Sequence, residues 1–269
     1  MVNALKQKLS DANIPDSDFE FKCMLEQITG DRFRRTLTAE QEQALTAMIQ
    51  KRISGEPLQY LLGEWEFYGM RVFVGHGVLI PRPETECLID LLLDWIQKHP
   101  VKHIIDLCTG SACIALALKK HLPDIKISAV EYSSEALAYA QKNISYHKLA
   151  IDLIQGDVLD SATACCFQNI DLIISNPPYL TYQEMQELQT EVRHEPFSAL
   201  SGGADGLYYY QQIPAIWKSA LHPGGLLAFE IGSQQGTAVS QILKAHDFAH
   251  IQIIQDLEHR DRIVTGLKK

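Results

Sequence analysis

The residues best suited to chemistry in this 269-residue sequence are Ser175-Asn176-Pro177-Pro178-Tyr179. They close the apolar run Asp171 to Ser175, so the string stands where a strand passes into a loop. Asn176 offers an uncharged side-chain carbonyl, and Pro177 a backbone carbonyl with no N–H of its own beside it. Two acceptors held rigidly together suit a planar –NH₂ group, which carries two donors. Tyr179 supplies a flat face to stack on that plane. The nitrogen lone pair then points out of the plane, toward an electrophile. No strong general base is implied, which fits a nitrogen that attacks first and loses its proton later. Methyl transfer from a sulfonium is such a reaction. Alignment supplies much of its rate, and carbonyl dipoles stabilise the positive charge that grows on nitrogen. The plainer role for Pro-Pro, a rigid loop breaker, fits this position less well.

Three further turns carry candidate binding residues. The first is Asp106-Leu107-Cys108-Thr109-Gly110-Ser111-Ala112-Cys113, a small-residue turn that lets backbone approach a ligand and opens a helix N-terminus. It holds one glycine, not the G-x-G-x-x-G of a dinucleotide fold, and reads equally as a tight strand–helix turn. The second is Glu131, 25 residues beyond Asp106, placed to accept ribose hydroxyls or to cap the helix at Ser133. The third is Gly156-Asp157, where Asp157 suits an adenine amino group or a helix N-cap.

The elements that must position these residues fall into two parts. In residues 1–75, Ser17 is placed to cap a helix with Phe21, Met24, Leu25 and Ile28 on one stripe, stopped by Gly30. Thr38 and Gln41 resemble a capping box for a helix carrying Leu45, Met48, Ile49, Arg52 and Ile53. Trp65–Phe67 and Arg71–Val74 flank Gly69 as a two-stranded ribbon. Pro81-Arg82-Pro83 forces extended backbone before a helix starting near Thr85. In residues 76–269, strand-length runs at 104–107, 125–130, 150–154, 171–175 and 226–231 alternate with helical stretches at 111–121, 133–147 and 206–221. That alternation predicts an α/β fold with a doubly wound, mostly parallel sheet. The runs at 251–254 and 262–266 are too close for a parallel crossover, so they form an antiparallel hairpin that makes seven strands.

Composition narrows the class. Hydrophobic residues make up 46% and charged residues 21%, as in packed globular proteins. No run approaches a membrane span, and the first ten residues lack the apolar core of a secretory signal. The six cysteines form no C-x-x-C pair and match no metal site, so reduced thiols, a cytoplasmic location and no metal are expected. The net charge is −9, of which residues 1–75 carry 9 − 11 = −2 and residues 76–269 carry 15 − 22 = −7. A negative field disfavours binding along a phosphate backbone.

Together these motifs resemble the release-factor glutamine methyltransferases, a family of class I S-adenosylmethionine-dependent enzymes. The resemblance runs through Gly55–Tyr60, Gly63–Phe67, Ile80–Glu86, Asp106–Ser111, Ser175–Tyr179, Glu195-Pro196, Gly202–Gly206 and Pro223–Gly225. It implies methylation of the side-chain amide nitrogen of the glutamine in the Gly-Gly-Gln loop of a peptide chain release factor, with S-adenosylhomocysteine as by-product. Residues 1–75 are then the recognition domain with its hairpin linker, and 76–269 the catalytic domain. By the same resemblance, Cys108, Thr109, Gly110, Ser111 and Ala112 cradle the methionine part of the cofactor. Glu131 holds the ribose, Asp157 the adenine edge, and Asn176 borders the cofactor. Asn176, Pro177, Pro178 and Tyr179 bind the glutamine amide, and Arg82–Glu86 lines the mouth. Ala112 departs from the family's glycine; a Cβ there could crowd the cofactor or require negative φ, and weakened cofactor affinity at most is expected, because a methyl is small. Val158 replaces an aromatic residue found in some relatives. A monomer acting without membrane or direct nucleic-acid contact is expected, its acidity attracting a basic protein substrate. The alternative is an adenine N6-methyltransferase, because Asn-Pro-Pro-Tyr also fits that exocyclic amine.

Overall fold

Four helices open the chain in a computed structural model that describes residues 2–269. They are α1 (Val2–Asp11), α2 (Ser17–Thr29), α3 (Ala39–Ile53) and α4 (Leu58–Leu62). Phe21, Met24 and Leu25 of α2 and Leu45 and Ile49 of α3 recur at helical spacing. They meet Leu5, Leu9 and Leu58 in a small core of their own. The Thr38 hydroxyl accepts the Gln41 N–H at 3.3 Å and the Gln41 side chain accepts the Thr38 N–H at 3.0 Å, completing the capping box. Ser17 is the first residue of α2 rather than its cap, which is Asp16 in a left-handed conformation. Helix α1 was not read from its alternating Lys and Leu. Its buried pair, Leu5 and Leu9, is helical only in the company of α2 and α3. Arg52 is buried on α3, and its guanidinium donates to both oxygens of Glu20 at 2.6 and 2.9 Å and to Glu191 at 2.6 Å.

The ribbon follows as β1 (Glu64–Phe67) and β2 (Met70–Phe73). Phe67 faces Met70, so Tyr68 and Gly69 form a two-residue turn, both with positive φ (50° and 65°). That is the twist a tight hairpin needs. Phe67, Met70 and Val72 pack into the core of the sheet that follows, not into the helical core.

The remaining elements are α5 (Glu86–Lys98), β3 (His103–Leu107), α6 (Cys113–His121), β4 (Lys126–Glu131), α7 (Ser134–His147), β5 (Asp152–Gln155), α8 (Ser161–Cys165), β6 (Ile170–Ser175), α9 (Tyr182–Gln186), α10 (Phe197–Leu200), α11 (Tyr208–Trp217), β7 (Leu221–Glu230), α12 (Gly236–Ala245), β8 (Phe248–Gln255) and β9 (Asp261–Lys268). A 3₁₀ turn, Pro83–Thr85, leads from the extended Pro81-Arg82 into α5, and a second, Val192–His194, precedes α10. The strands order as β5-β4-β3-β6-β7-β9-β8. All neighbours are parallel except β9, which runs antiparallel to β7 and β8. This is the doubly wound, seven-stranded sheet expected from the alternation.

Successive strand residues serve opposite faces, so both faces are apolar. Ile104, Leu172 and Ile174 pack with Leu88 and Leu92 of α5 and Leu118 of α6. Ile105 and Ile173 pack with Tyr210 and Trp217 of α11 and Leu243 of α12. Strand β7 starts five residues earlier than its apolar run, with His222-Pro223-Gly224-Gly225 absorbed at a register shift against β6. Strand β5 has only four residues, and β8 is irregular, with one register shift between Ala249 and Gln252 that spans a left-handed His250 and a second at Ile254 to Gln255.

Candidate active site

Strand order reverses between β3 and β6, and α/β sheets place ligands at the carboxyl ends on either side of such a point. The Ser175 hydroxyl donates to the Leu107 carbonyl at 2.9 Å and ties the two ends together. A cavity of about 190 Å³ opens here, lined from four strand ends. Cys108–Ser111 follow β3, Glu131–Ser133 end β4, Asp157–Leu159 follow β5, and Asn176 and Pro178 follow β6. Val78, Arg82, Ile114 and Tyr209 add to its wall. A second cavity, of about 380 Å³, shares Leu79, Arg82, Asn176 and Ala199 with the first. It adds Tyr179, Glu187, Val192 and Glu230. Asn176 therefore stands on the boundary between the two.

The turn after β3 has left-handed backbone at Cys108, Gly110 and Ala112 (φ 59°, 57° and 64°). For the two that carry a Cβ this costs about 1–2 kcal/mol each. A dense set of bonds holds it. The Thr109 N–H donates to the Val130 carbonyl at 3.1 Å and the Thr109 hydroxyl to Asp106 Oδ2 at 2.5 Å. The Gly110 N–H donates to Glu131 Oε2 at 2.8 Å, and the Asn143 amide to the Ser111 carbonyl at 3.0 Å. Ala112 does not behave as expected. It adopts positive φ despite its Cβ, and that Cβ is fully buried in the core beneath the turn, outside both cavities. Its methyl therefore belongs to the core rather than to a cavity wall.

The carboxylates differ in state. Burial raises the Glu131 carboxyl, against backbone N–H groups of Ser133, Gly110 and Tyr132 that favour its ionised form. Glu131 lines the cavity and its Oε1 accepts the Ser133 N–H at 2.8 Å, while Ser133 itself caps α7. Asp157 likewise lines the cavity while one oxygen accepts the Leu159 N–H at 2.8 Å; the N-cap of α8 is Asp160. Asp106 lies beneath the turn, fully buried, and burial pushes it up to about 7. Burial pushes the Cys113 thiol up to about 12 and the Cys108 thiol higher still, so neither is a nucleophile near neutral pH.

The Asn176–Tyr179 loop is clamped from behind by backbone. The Leu180 N–H donates to the Leu200 carbonyl at 2.9 Å and the Gly202 N–H to the Leu180 carbonyl at 2.8 Å. Gln235 Nε2 donates to the carbonyls of Tyr179 at 3.0 Å and Gly206 at 3.2 Å. A Cβ on Gly202 would lie 2.7 Å from the Tyr179 Cα, so only glycine permits this approach. Pro178 lines the first cavity and Tyr179 the second. Pro177 is buried and lines neither, so any part it takes is through its carbonyl.

Two contributors, Tyr209 and Glu230, escaped the sequence reading, and Arg82, expected at the mouth, has a partner that the sequence did not pair with it. Arg82 lines both cavities and is held by Glu195, whose other oxygen accepts the Ile80 N–H at 3.0 Å. That pair joins two segments 113 residues apart, for which sequence spacing gives no signal. Tyr209 is one of three successive tyrosines, which do not announce which one faces the ligand. Glu230 is an acid at the carboxyl end of a strand, and the rule that singled out Glu131 applies to it equally.

Fold and site together define a methyltransferase. The family model of the methyltransferase small domain matches residues 88–201, and that of the PrmC N-terminal domain matches residues 1–63. Among solved structures, a methyltransferase from Pyrococcus furiosus covers 75% of this chain and 90% of its own at a TM-score of 0.56 and 17% identity. A T. thermophilus 16S rRNA N2 G1207 methyltransferase, solved with AdoMet and guanosine, covers 77% and 50% at 0.54 and 15%. These two share the fold alone. Closer in sequence is a release factor glutamine methyltransferase of Thermodesulfovibrio yellowstonii, 37% identical over 85% of this chain and 82% of its own. Another, from Caulobacter vibrioides, is 36% identical over 98% and 94%. The chain belongs to the release factor glutamine methyltransferase family.

Proposed function

We propose that the protein transfers a methyl group from S-adenosyl-L-methionine to the side-chain amide nitrogen of a glutamine, the one in the Gly-Gly-Gln loop of a peptide chain release factor. The observation that carries this reading is the place of Asn176, on the boundary between two cavities at the sheet's switch point. The first cavity suits the cofactor. Its carboxylates Glu131 and Asp157 match ribose hydroxyls and an adenine amine, Val158 and Ile114 give apolar walls, and the acids around it favour a cation. When bound, the cofactor supplies an electrophilic methyl on a positively charged sulfur.

The chain's own residues do the rest. Asn176 Oδ1 and the Pro177 carbonyl accept the two amide hydrogens, so the nitrogen lone pair is turned toward the first cavity. Tyr179 packs against the amide plane from the second. The rigid loop fixes distance and direction, which is where most of the acceleration comes from. As the nitrogen–methyl bond forms and the sulfur–methyl bond breaks with its electron pair left on sulfur, the two carbonyl dipoles stabilise the positive charge that develops on nitrogen, and the proton then passes to solvent water. Residues 1–75 form the surface that docks the factor, and residues 76–269 carry the catalysis. The enzyme acts in the cytoplasm as a monomer.

Mass spectrometry of a purified release factor, incubated with the enzyme and S-adenosyl-L-methionine, tests the reading. One added methyl on the Gly-Gly-Gln peptide is expected, and none on adenine-containing DNA; the opposite pattern refutes it. Asn176→Ala is expected to lower transfer by at least about 100-fold, the scale of a lost oriented polar contact at the reacting atoms. Cofactor affinity by calorimetry should hold within a few-fold, and retained turnover would remove the amide clamp.

A further inference from the structure

We infer that Glu230 is a positioning residue for the amide clamp: its ionised carboxylate fixes which end of the Asn176 side-chain amide is turned to the substrate nitrogen. The inference rests on the amide-transfer reading above.

Glu230 is the last residue of β7, and Ser175 of β6 pairs with Phe229, so Asn176 and Glu230 stand at the same level on neighbouring parallel strands. Both line the second cavity. The Glu230 side chain is 1% exposed, and its Oε2 has no hydrogen-bond partner among the described residues. An unsatisfied buried carboxylate oxygen is destabilising by about 1–3 kcal/mol or more, so its retention beside the clamp calls for a role.

The side chain of Asn176 has nearly the same shape either way round, but only its oxygen can receive a substrate N–H. Something must choose the orientation. An ionised carboxylate accepts and cannot donate. It draws the Asn176 –NH₂ to itself and leaves Oδ1 for the substrate. A protonated Glu230 can donate to Oδ1 instead and turn the amide the wrong way. The clamp is therefore ordered only when Glu230 is ionised.

The surroundings place that event near neutrality. Burial pushes the Glu230 carboxyl up to about 7, and Glu84 from the turn before α5 pushes in the same direction. The Thr85 hydroxyl, the Arg262 guanidinium from β9 and the Asn176 amide pull it down. Tyr179 and Tyr210 of α11 also act on it, their phenols raised and so neutral in this range, as does the neutral Cys113 of α6; Arg82 and Glu187 are the charged groups that share its cavity.

The test follows methyl transfer to an intact release factor between pH 6 and 9 for the wild type, Glu230→Gln and Thr85→Val. It also follows binding of a synthetic Gly-Gly-Gln peptide to the enzyme with S-adenosylhomocysteine. For the wild type, kcat should rise with pH and level off above the titration, and peptide affinity should follow the same curve. Glu230→Gln should lose that dependence and fall at least tenfold in kcat at pH 8, with S-adenosylhomocysteine affinity within twofold. Thr85→Val, which keeps the carboxyl but removes a donor to it, should move the rise to higher pH. A Glu230→Gln enzyme that keeps the wild-type rise, or a Thr85→Val enzyme with an unmoved midpoint, overturns the inference. A wild type that transfers no methyl to the factor at any pH overturns the underlying reading instead.

Discussion

Gly206→Ala is expected to separate catalysis from folding. Gly206 has φ 72°, and a Cβ there would lie 2.3 Å from the Tyr179 carbonyl oxygen and 2.6 Å from Gln235 Nε2. The left-handed conformation costs an alanine about 1–2 kcal/mol. An ordinary carbon–oxygen contact begins near 3.4 Å, so the Tyr179 carbonyl must retreat by about 3.4 − 2.3 ≈ 1.1 Å. That carbonyl belongs to the loop carrying Asn176, and its bond to Gln235 is broken by the same shift. A displacement of about 1 Å in a positioning element lowers rate on the order of 100-fold. Gly224→Ala is the control. It has φ 83° but nothing closer than His222 Cε1 at 3.9 Å, so it carries the backbone strain without the clash. Tritiated methyl incorporation into a release factor, beside thermal unfolding, reads both effects. Each variant should lose a few degrees in Tm, at roughly 2–4 °C per kcal/mol for a chain near this size. Only Gly206→Ala should lose about 100-fold in kcat, with cofactor affinity nearly unchanged. Wild-type kcat in Gly206→Ala would refute the claim that close backbone packing sets the clamp.

Arg52→Ala should destabilise the helical bundle by about 3–5 kcal/mol, because it strands the buried Glu20 carboxylate without a partner. Urea unfolding measures the loss, and replacing Arg52 and Glu20 together by Met should restore most of it. The buried Asp106 carboxyl, raised by burial to about 7, predicts a pH effect on stability. Its proton is held more tightly in the folded chain than in the unfolded, where the group titrates near about 3.9. Stability from this group is thus full below about pH 4 and is lost as pH rises through about 7. Urea midpoints at pH 5 and 8 should fall for the wild type and fall less for Asp106→Asn; equal falls would show that Asp106 does not titrate there.

The sheet was legible because its strands are long apolar runs between helical stretches, and parallel pairing demands that pattern. Its hairpin end was legible because only a few residues separate 251–254 from 262–266. The Asn176–Tyr179 loop stood out because Pro-Pro-Tyr after an acceptor is rare and sits at a strand end. Other features depend on the fold alone. Helix α1 and the short helices α8, α9 and α10 take their shape from neighbours rather than from periodicity. The Arg82–Glu195 and Arg52–Glu191 pairs join distant segments, which one sequence cannot match. Ala112 was misjudged because spacing gives a residue's place in a turn but not the direction of its Cβ, which here enters the core. Glu230 was overlooked for a different reason. An acid within a hydrophobic strand was counted as part of the strand, although its end position matched that of Glu131.

The two outermost strands of the sheet bear on how the molecule meets others. A free edge strand exposes a row of unpaired N–H and C=O groups that can template another chain's strand. At one border β5 is only four residues long. At the other, β8 is interrupted by register shifts, one of which spans the left-handed His250, and these break the straight ladder a visiting strand requires. Neither border offers a long, flat stretch for strand addition. Association with a protein substrate, or with a second copy, must then run through side chains and loops, where recognition is selective, rather than through backbone pairing, which accepts almost any extended segment.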